Sequence, residues 1–357
     1  MLGDYVIRLS ILVLILLLMG IHVVMAESSA GNVTVNIFNV NGKPASSMHG
    51  VVYGILVNAY NEKGMGPVFM NNNSQLIFKG IQPGTYILYV YYYPNSTAFN
   101  YTEYWGNLTI NVFPGKAITY NFTRNMPWIK NVYVNSTQLG NGSRAIITVS
   151  VVVYNPQSVS FNGVVTVYIS SQESPLNAQV RNQSVTLNPG VNNVNFTYTL
   201  SQPGTYYAYV VLKVYVTQPL GQPRTTDQYD WTPIITVYLV SFTESGLPSG
   251  TLWWVSINGT RESSNTNTIT LLLPNGTYQY EILPVNGYVA NITNRSLSLN
   301  GLTVNEPMII GVGFKSKRMP IISDVIIIVV SLIILVTVAL VVLRFRSRNA
   351  FDDVATA

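Results

Sequence analysis

Two aspartates three positions apart, Asp227 and Asp230 in "TTDQYDWTP", are the side chains of this sequence whose spacing comes nearest to paired-carboxylate chemistry. Two neighbouring carboxyls can share one proton and activate water. The stretch is polar and loop-like, however, and no Asp-Thr-Gly or Asp-Ser-Gly element occurs in the chain, so both are expected to be turn-forming residues. Glu244 stands by itself as a strand-end or turn residue, whereas glycoside hydrolysis needs two placed carboxyl groups. The histidines are His22, inside an N-terminal apolar segment, and His49, in the loop-like "SSMHG". One histidine without a nucleophile and an orienting group makes no triad, and no histidine-rich metal site can be built from it. Cysteine is absent, which removes disulfides, thiol nucleophiles and thiolate metal ligands. No glycine-rich phosphate loop precedes a helix. A net charge of +5 spread along the chain gives no nucleic-acid footprint. The expectation is a protein that is not an enzyme, with no catalytic residues, no metal and no cofactor.

The two ends address a membrane. In "MLGDYVIRLSILVLILLLMGIHVVMAES", Arg8 precedes the apolar run Ile11 to Met19, and Val24-Met25-Ala26 follows at signal-peptidase spacing. Residues 1–26 are read as a secretory signal peptide, the alternative being an uncleaved anchor. Val325 to Leu343 is free of charge, and 320–343 is long enough to cross a hydrocarbon core of ~30 Å as a helix. Arg344, Arg346 and Arg348 then put the tail 344–357 in the cytoplasm by the positive-inside rule.

Between the ends, fourteen Asn-x-Ser/Thr triplets occur: Asn32, Asn72, Asn95, Asn100, Asn107, Asn121, Asn135, Asn141, Asn182, Asn195, Asn258, Asn275, Asn291 and Asn294. Composition alone would give roughly six, so the excess points to glycan acceptors in an exported region. That region holds ten carboxylates against fifteen Lys and Arg. Stability that relies on few ionised carboxylates is lost slowly in acid, which suits a surface facing hot or acidic water.

Period-two alternation dominates the exported region. In "VNFTYTL", Val194, Phe196, Tyr198 and Leu200 alternate with Asn195, Thr197 and Thr199, and "VVTVYIS" repeats the pattern with Val165, Val167 and Ile169. A related phrase recurs as "QPGTYILYVYYY" from Gln82, "QPGTYYAYVVLKVYV" from Gln202 and "PNGTYQYEILP" from Pro274. The uneven spacing argues for equivalent strands in three separate domains rather than a solenoid. The fold class is therefore all-β: three consecutive β-sandwich modules, Ig-like or prealbumin-like, and one C-terminal transmembrane helix. The modules are placed at 27–126, 127–239 and 240–315. The first resembles the prealbumin-like, carboxypeptidase-regulatory sandwiches in its Gly-Lys-Pro turn and Pro-Gly-Thr-Tyr strand. The second, with "ITVSVVVYNPQS", looks like the immunoglobulin-like adhesion modules of microbial surface proteins.

The third module opens with "FTESGLPSGTLWWVSING", followed by "NGTYQYEI" and "NGY". It resembles a module of surface and secreted proteins of thermoacidophilic archaea, thermopsin-like proteins among them. Phe242, Gly246, Pro248, Gly250 and Trp253 carry the match, and "VANITNRSLSLNG" departs from it by lacking the usual Pro and Gly. Trp253 and Trp254 occupy successive strand positions, so they point to opposite faces and cannot form one stacking platform. Trp253, in phase with Val255 and Ile257, is expected in the core and Trp254 outside it.

The whole layout resembles the small membrane-anchored subunit of the two-protein surface layer of Sulfolobus-like archaea, without that subunit's coiled coil. The resemblance implies a structural envelope protein, a membrane-anchored stalk that holds or decorates a surface layer. Its partners would be the membrane, a larger surface-layer glycoprotein or other envelope protein, and further copies of itself. One rival is a surface binding or adhesion receptor using tyrosines at 86–93 and 206–215. The other is an accessory relative of thermopsin-like acid proteases.

Overall fold

The computed structural model describes residues 29–94, 102–140, 144–216, 223–292, 301–317 and 322–352. The N-terminal segment read as a signal peptide and the acceptors Asn95, Asn100, Asn141 and Asn294 lie outside the described residues. The strands follow the alternation of the sequence, and the chain is built from packed β-sheets with an apolar helix near its C-terminal end.

The described chain up to Tyr238, together with Leu272–Asn275, forms one compact unit. Its first part contains β1 (Gly31–Phe38), β2 (Gly50–Asn58), β3 (Gly64–Phe69), β4 (Gln75–Ile81), β5 (Gly84–Pro94), β6 (Glu103–Val112) and β7 (Ala117–Thr123). These make a three-stranded sheet, β4-β1-β7, and a four-stranded one, β3-β2-β5-β6. Strands β1 and β7 run parallel and β1 and β4 antiparallel. The inward positions Val35, Ile37, Leu56, Phe78, Leu88 and Trp105 fill the space between the sheets. Burying each such side chain contributes about 1.5–3 kcal/mol.

The second part contains β8 (Trp128–Leu139), β9 (Ala145–Asn155), β10 (Phe161–Ser170), β11 (Gln179–Leu187), β12 (Gly190–Leu200), β13 (Gly204–Tyr215) and β14 (Pro223–Ser245). The sheets are β12-β9-β8 and β11-β10-β13-β14. Val194, Phe196, Tyr198 and Leu200 are buried as their alternation requires, as are Val165, Val167 and Ile169. The Tyr198 hydroxyl donates to the Val167 carbonyl at 2.9 Å, which satisfies its polar tip inside the core. In both Gln-Pro-Gly-Thr-Tyr phrases the tyrosine closes back on its own turn. Tyr86 donates to the Gln82 carbonyl at 2.9 Å and Tyr206 to that of Gln202 at 2.8 Å.

Leu239–Leu271 and the residues from Gly276 onward form the other unit. It holds the end of β14, then β15 (Trp253–Ile257), β16 (Thr260–Ser264), most of β17 (Thr268–Pro274), β18 (Gly276–Ile282), β19 (Tyr288–Ile292), β20 (Gly301–Val304) and β21 (Met308–Ser316). One sheet is β16-β15-β18-β20; in the other, Val240–Ser245 of β14 pair in parallel with β21, which pairs antiparallel with β19. Phe242, Trp253, Val255, Ile257, Val312 and Phe314 are buried between them. Helix α1 (Ile322–Asp352) ends the described chain. Its stretch Ile326–Arg344, 19 residues of mean hydropathy 3.5, is long and apolar enough to cross a membrane, and none of it is buried.

Candidate functional site

Asp227 and Asp230, expected as turn-forming residues, do not meet as a carboxylate pair. Asp230 is exposed, with its carboxylate accepting from the Trp231 N–H, whereas Asp227 is 7% exposed. Both lie in strand β14, not in a polar loop as their composition suggests. A register shift against β13 accounts for the burial of Asp227. Leu212 pairs with Asp227 and Lys213 with Thr225, leaving Thr226 as an extra residue. Such a bulge breaks alternation, and Thr226 and Asp227 both turn inward.

The groups that meet Asp227 come from far along the chain. A second bulge falls in β6, where Val90 pairs with Gly106 and Tyr91 with Tyr104, so that Trp105 is extra. Glu103, Tyr104 and Trp105 are all buried as a result. Arg124 follows the last residue of β7 and is also buried. Its Nη1 donates to Glu103 Oε2 at 3.1 Å and to Asp227 Oδ1 at 3.4 Å. Its Nη2 donates to the Pro127 carbonyl at 3.4 Å and to the Thr226 carbonyl. The Trp105 indole N–H reaches the same Glu103 Oε2 at 3.1 Å, and the Ile129 N–H donates to Asp227 Oδ2. The guanidinium lies 6.0 Å from the Trp105 ring centroid and 5.8 Å from that of Trp128. Gly106 lets Asn125 lie across β6, because at φ +130° a Cβ there would sit 1.6 Å from the Asn125 Oδ1.

Two carboxyls and one guanidinium, sealed from water, cannot all carry their charges at low energy. Burial, and then the Asp227 charge, push Glu103 up to about 8 against the opposing pull of Arg124. Burial also raises Asp227, opposed by Arg124 and by the Ile129 N–H. Arg124 Nη1 bridges the two carboxyls. Both carboxyls therefore hold their protons to higher pH than solvated ones would, with Arg124 as the opposing charge. Glu103, and not Asp230, is the acid brought to Asp227, and both are buried around Arg124 with no surface to receive a substrate. The Arg124 Nε, also buried, finds no acceptor. Its work is mechanical: it ties the β6–β7 region to β8 and β14.

Glu103 and Arg124 escaped sequence reasoning. The available signal was a Glu directly before Tyr104-Trp105 in a chain with only 9% charged residues. Among the described residues, no group of three or more His, Cys, Asp or Glu could hold a metal ion. His49 is in a loop and its carbonyl accepts from the Tyr92 hydroxyl. Glu244 sits near the end of β14 and accepts from the Leu247 N–H at 3.2 Å.

The motif of the third module is structural. Phe242 and Trp253 are fully buried, and Trp254 is only half-buried. The Trp253 indole donates to the Thr266 carbonyl at 2.7 Å, and its ring meets Phe314 edge-on at 6.2 Å. Gly246 has φ +100°, and a Cβ on it would sit 2.1 Å from the Phe314 carbonyl oxygen. The Pro248 carbonyl accepts from the Thr251 N–H at 3.1 Å, and Gly250 takes φ +83° to complete the bend.

Of the sequon asparagines, Asn32, Asn72, Asn121, Asn135, Asn182, Asn195, Asn258, Asn275 and Asn291 are exposed. Asn107 is half-buried, and its amide donates to the Tyr104 hydroxyl at 3.0 Å. The tyrosines proposed as an open binding face are mostly closed. Tyr89 and Tyr206 are buried in the core of the second sandwich, which continues onto Tyr104 and Met126, and Tyr209 is buried with Trp231 stacked on its ring at 5.4 Å. Tyr215 stays exposed, and beside the 86–93 strand a smaller accessible group has exposed Phe69 5.9 Å from Tyr53 and Tyr53 stacked on Tyr91 at 5.3 Å.

No family model and no curated protein matches this sequence. Solved structures similar to it include the full-length major pilin SpaD from Corynebacterium diphtheriae, at 9% identity over 80% of this chain and 98% of that one, TM-score 0.39. The major pilin SpaA from the same organism is 10% identical over 79% and 99%, TM-score 0.33. BcpA, the major pilin subunit of Bacillus cereus, is 10% identical over 81% and 100%, TM-score 0.30. Likeness at this level carries no argument about activity, assembly or partners.

Proposed function

We propose that this chain is a structural protein of the cell envelope, a single-pass anchor that holds or decorates a surface layer with its β-units outside the cell. The observation that carries the reading is α1. Nineteen residues from Ile326 to Arg344 leave every apolar side chain uncovered, and a helix apolar all round and unburied belongs in lipid. Arg344, Arg346 and Arg348 at its end favour a cytoplasmic C-terminus.

A non-catalytic role is supported by where the acids went. The two that approach each other are sealed around Arg124, while the exposed acceptors present amides to solvent. The resemblance of the whole layout to the small membrane-anchored subunit of the two-protein surface layer, without its coiled coil, gives this reading its expected partner, a larger surface-layer glycoprotein. Gentle solubilisation of native membranes, recovery of this chain and mass spectrometry of its companions test the reading. An abundant surface glycoprotein in fixed ratio supports it; recovery of the chain alone, or with a protease or transporter, removes it.

The Phe69–Tyr53–Tyr91 group favours one second reading, a surface receptor that stacks sugars or a protein on aromatic faces. Chemical-shift or calorimetric titration of the purified chain with a glycan panel distinguishes the two. Binding lost in Tyr53→Ala supports the receptor, and silence across the panel removes it.

A further inference from the structure

An unpaired strand edge offers free N–H and C=O groups to any other chain, and soluble proteins block such edges with charge, proline, shortness or a covering segment. The edges described in this chain divide along those lines. Strand β3 carries Pro67, β4 Lys79, and β16 Arg261 with Glu262; β20 has four residues; Asn125 covers β6 with hydrogen bonds to the Trp105 and Asn107 carbonyls. Strand β17, paired with β14 alone, ends in Pro274, and five edges remain: β7, β8, β11, β12 and β19. None contains proline, their charged residues are Lys130 and Arg181, and β7, β12 and β19 have no charge at all.

Each of those five carries an exposed sequon asparagine: Asn121, Asn135, Asn182, Asn195 and Asn291 in turn. On the interior strands β1, β2, β9 and β10, the asparagines Asn36, Asn58, Asn155 and Asn162 begin no sequon, and Asn32 is the exception. In the second sandwich, Asn182 and Asn195 stand on facing edges, along a groove also lined by Arg181, Phe196 and Thr197. There Gln179 Nε2 already reaches across to the Thr199 carbonyl at 2.9 Å.

We infer that N-linked glycans on these five strands block the sheet edges and keep copies of this chain from pairing edge to edge. The inference rests on the sequons being used, and it assigns the glycans a task beyond solubility. A hydrated oligosaccharide beside the strand excludes a second backbone from the plane of the sheet, which charge does elsewhere. Copies crowded on one membrane are the partners most in need of exclusion.

The test uses the full chain, produced in a host that N-glycosylates and held in detergent, with occupancy mapped by glycopeptide mass spectrometry. Thr123→Ala, Thr137→Ala, Ser184→Ala and Thr197→Ala remove four edge glycans while keeping each Asn; Thr260→Ala and Thr277→Ala remove two turn glycans. Sedimentation and an intermolecular β-sheet infrared band report association. The edge variants, and wild type deglycosylated in the folded state, should associate at concentrations at least tenfold below wild type, with the turn variants unchanged. Bare edge asparagines in the wild type end the inference together with the glycosylation reading. Occupied sites whose removal leaves the chain monomeric, with circular dichroism and unfolding intact, end the inference alone.

Discussion

Arg124 and Asp227 stand 103 positions apart in the chain and meet at 3.4 Å, with both side chains shut away from water. The pair, closed by Glu103, joins strands from the first and second parts of one compact unit. A contact of this kind contributes to geometry more than to net stability, since desolvation offsets much of the attraction. Removing one member is a different matter, because the remaining charges stay buried.

Arg124→Ala leaves two acids facing each other without a cation. A loss of about 3–5 kcal/mol is expected, and the β6–β8 region should become protease-sensitive first. Urea unfolding followed by limited proteolysis checks both, and a midpoint equal to wild type would rule out the clasp.

Acidity should stabilise the same unit. Glu103 titrates near 8 when folded, above its ordinary value of 4.5, so the folded state holds a proton that the unfolded state releases between those values. This contribution is complete below about 4.5, declines as pH rises toward 8 and is absent above it. Asp227, also raised, acts in the same direction, and Arg124 is the opposing charge. Denaturant midpoints measured from pH 4 to 9 should fall with pH, and Glu103→Gln should flatten that slope. A wild-type midpoint that rises across the range contradicts the assignment.

In the other unit, Gly246→Ala combines a left-handed φ with a collision against the Phe314 carbonyl. Roughly 1–3 kcal/mol of strain is expected. Trp253→Ala should cost about 3–5 kcal/mol by cavity formation, and Trp254→Ala, only half-buried, far less. Thermal unfolding of the three variants orders them; equal effects at Trp253 and Trp254 would refute the assignment of faces.

Glycan occupancy should follow exposure. Asn107 is half-buried against Tyr104, so the folded chain is expected to leave it unmodified while the exposed Asn121, Asn182 and Asn195 are occupied. Site-resolved glycopeptide mapping reads this directly, and full occupancy at Asn107 would contradict it.

Deleting the chain from residue 320 onward should move the protein from the membrane to the soluble fraction. Alkaline extraction of membranes from cells expressing each form gives the answer. A truncated chain that still pellets would show that α1 is not its anchor.

Alternation in β10 and β12, the inward placement of Trp253 and the long apolar run of α1 were all legible from residue order. They rest on local rules: a side chain's face is set by its parity in a strand, and a helix's environment by its composition. The polarity of "TTDQYDWTP" points Asp227 and Asp230 to a turn, and the bulge at Thr226 that buries Asp227 has no local signature in that stretch. Glu103 and Arg124 became partners of Asp227 only when strands distant in sequence were set side by side. The openness of the tyrosine faces and the edge positions of Asn121, Asn135, Asn182, Asn195 and Asn291 were decided at that level too. Residue order determines which side of a strand is wet; which strand has a neighbour, and which charge loses its water, is a property of the packed sheets.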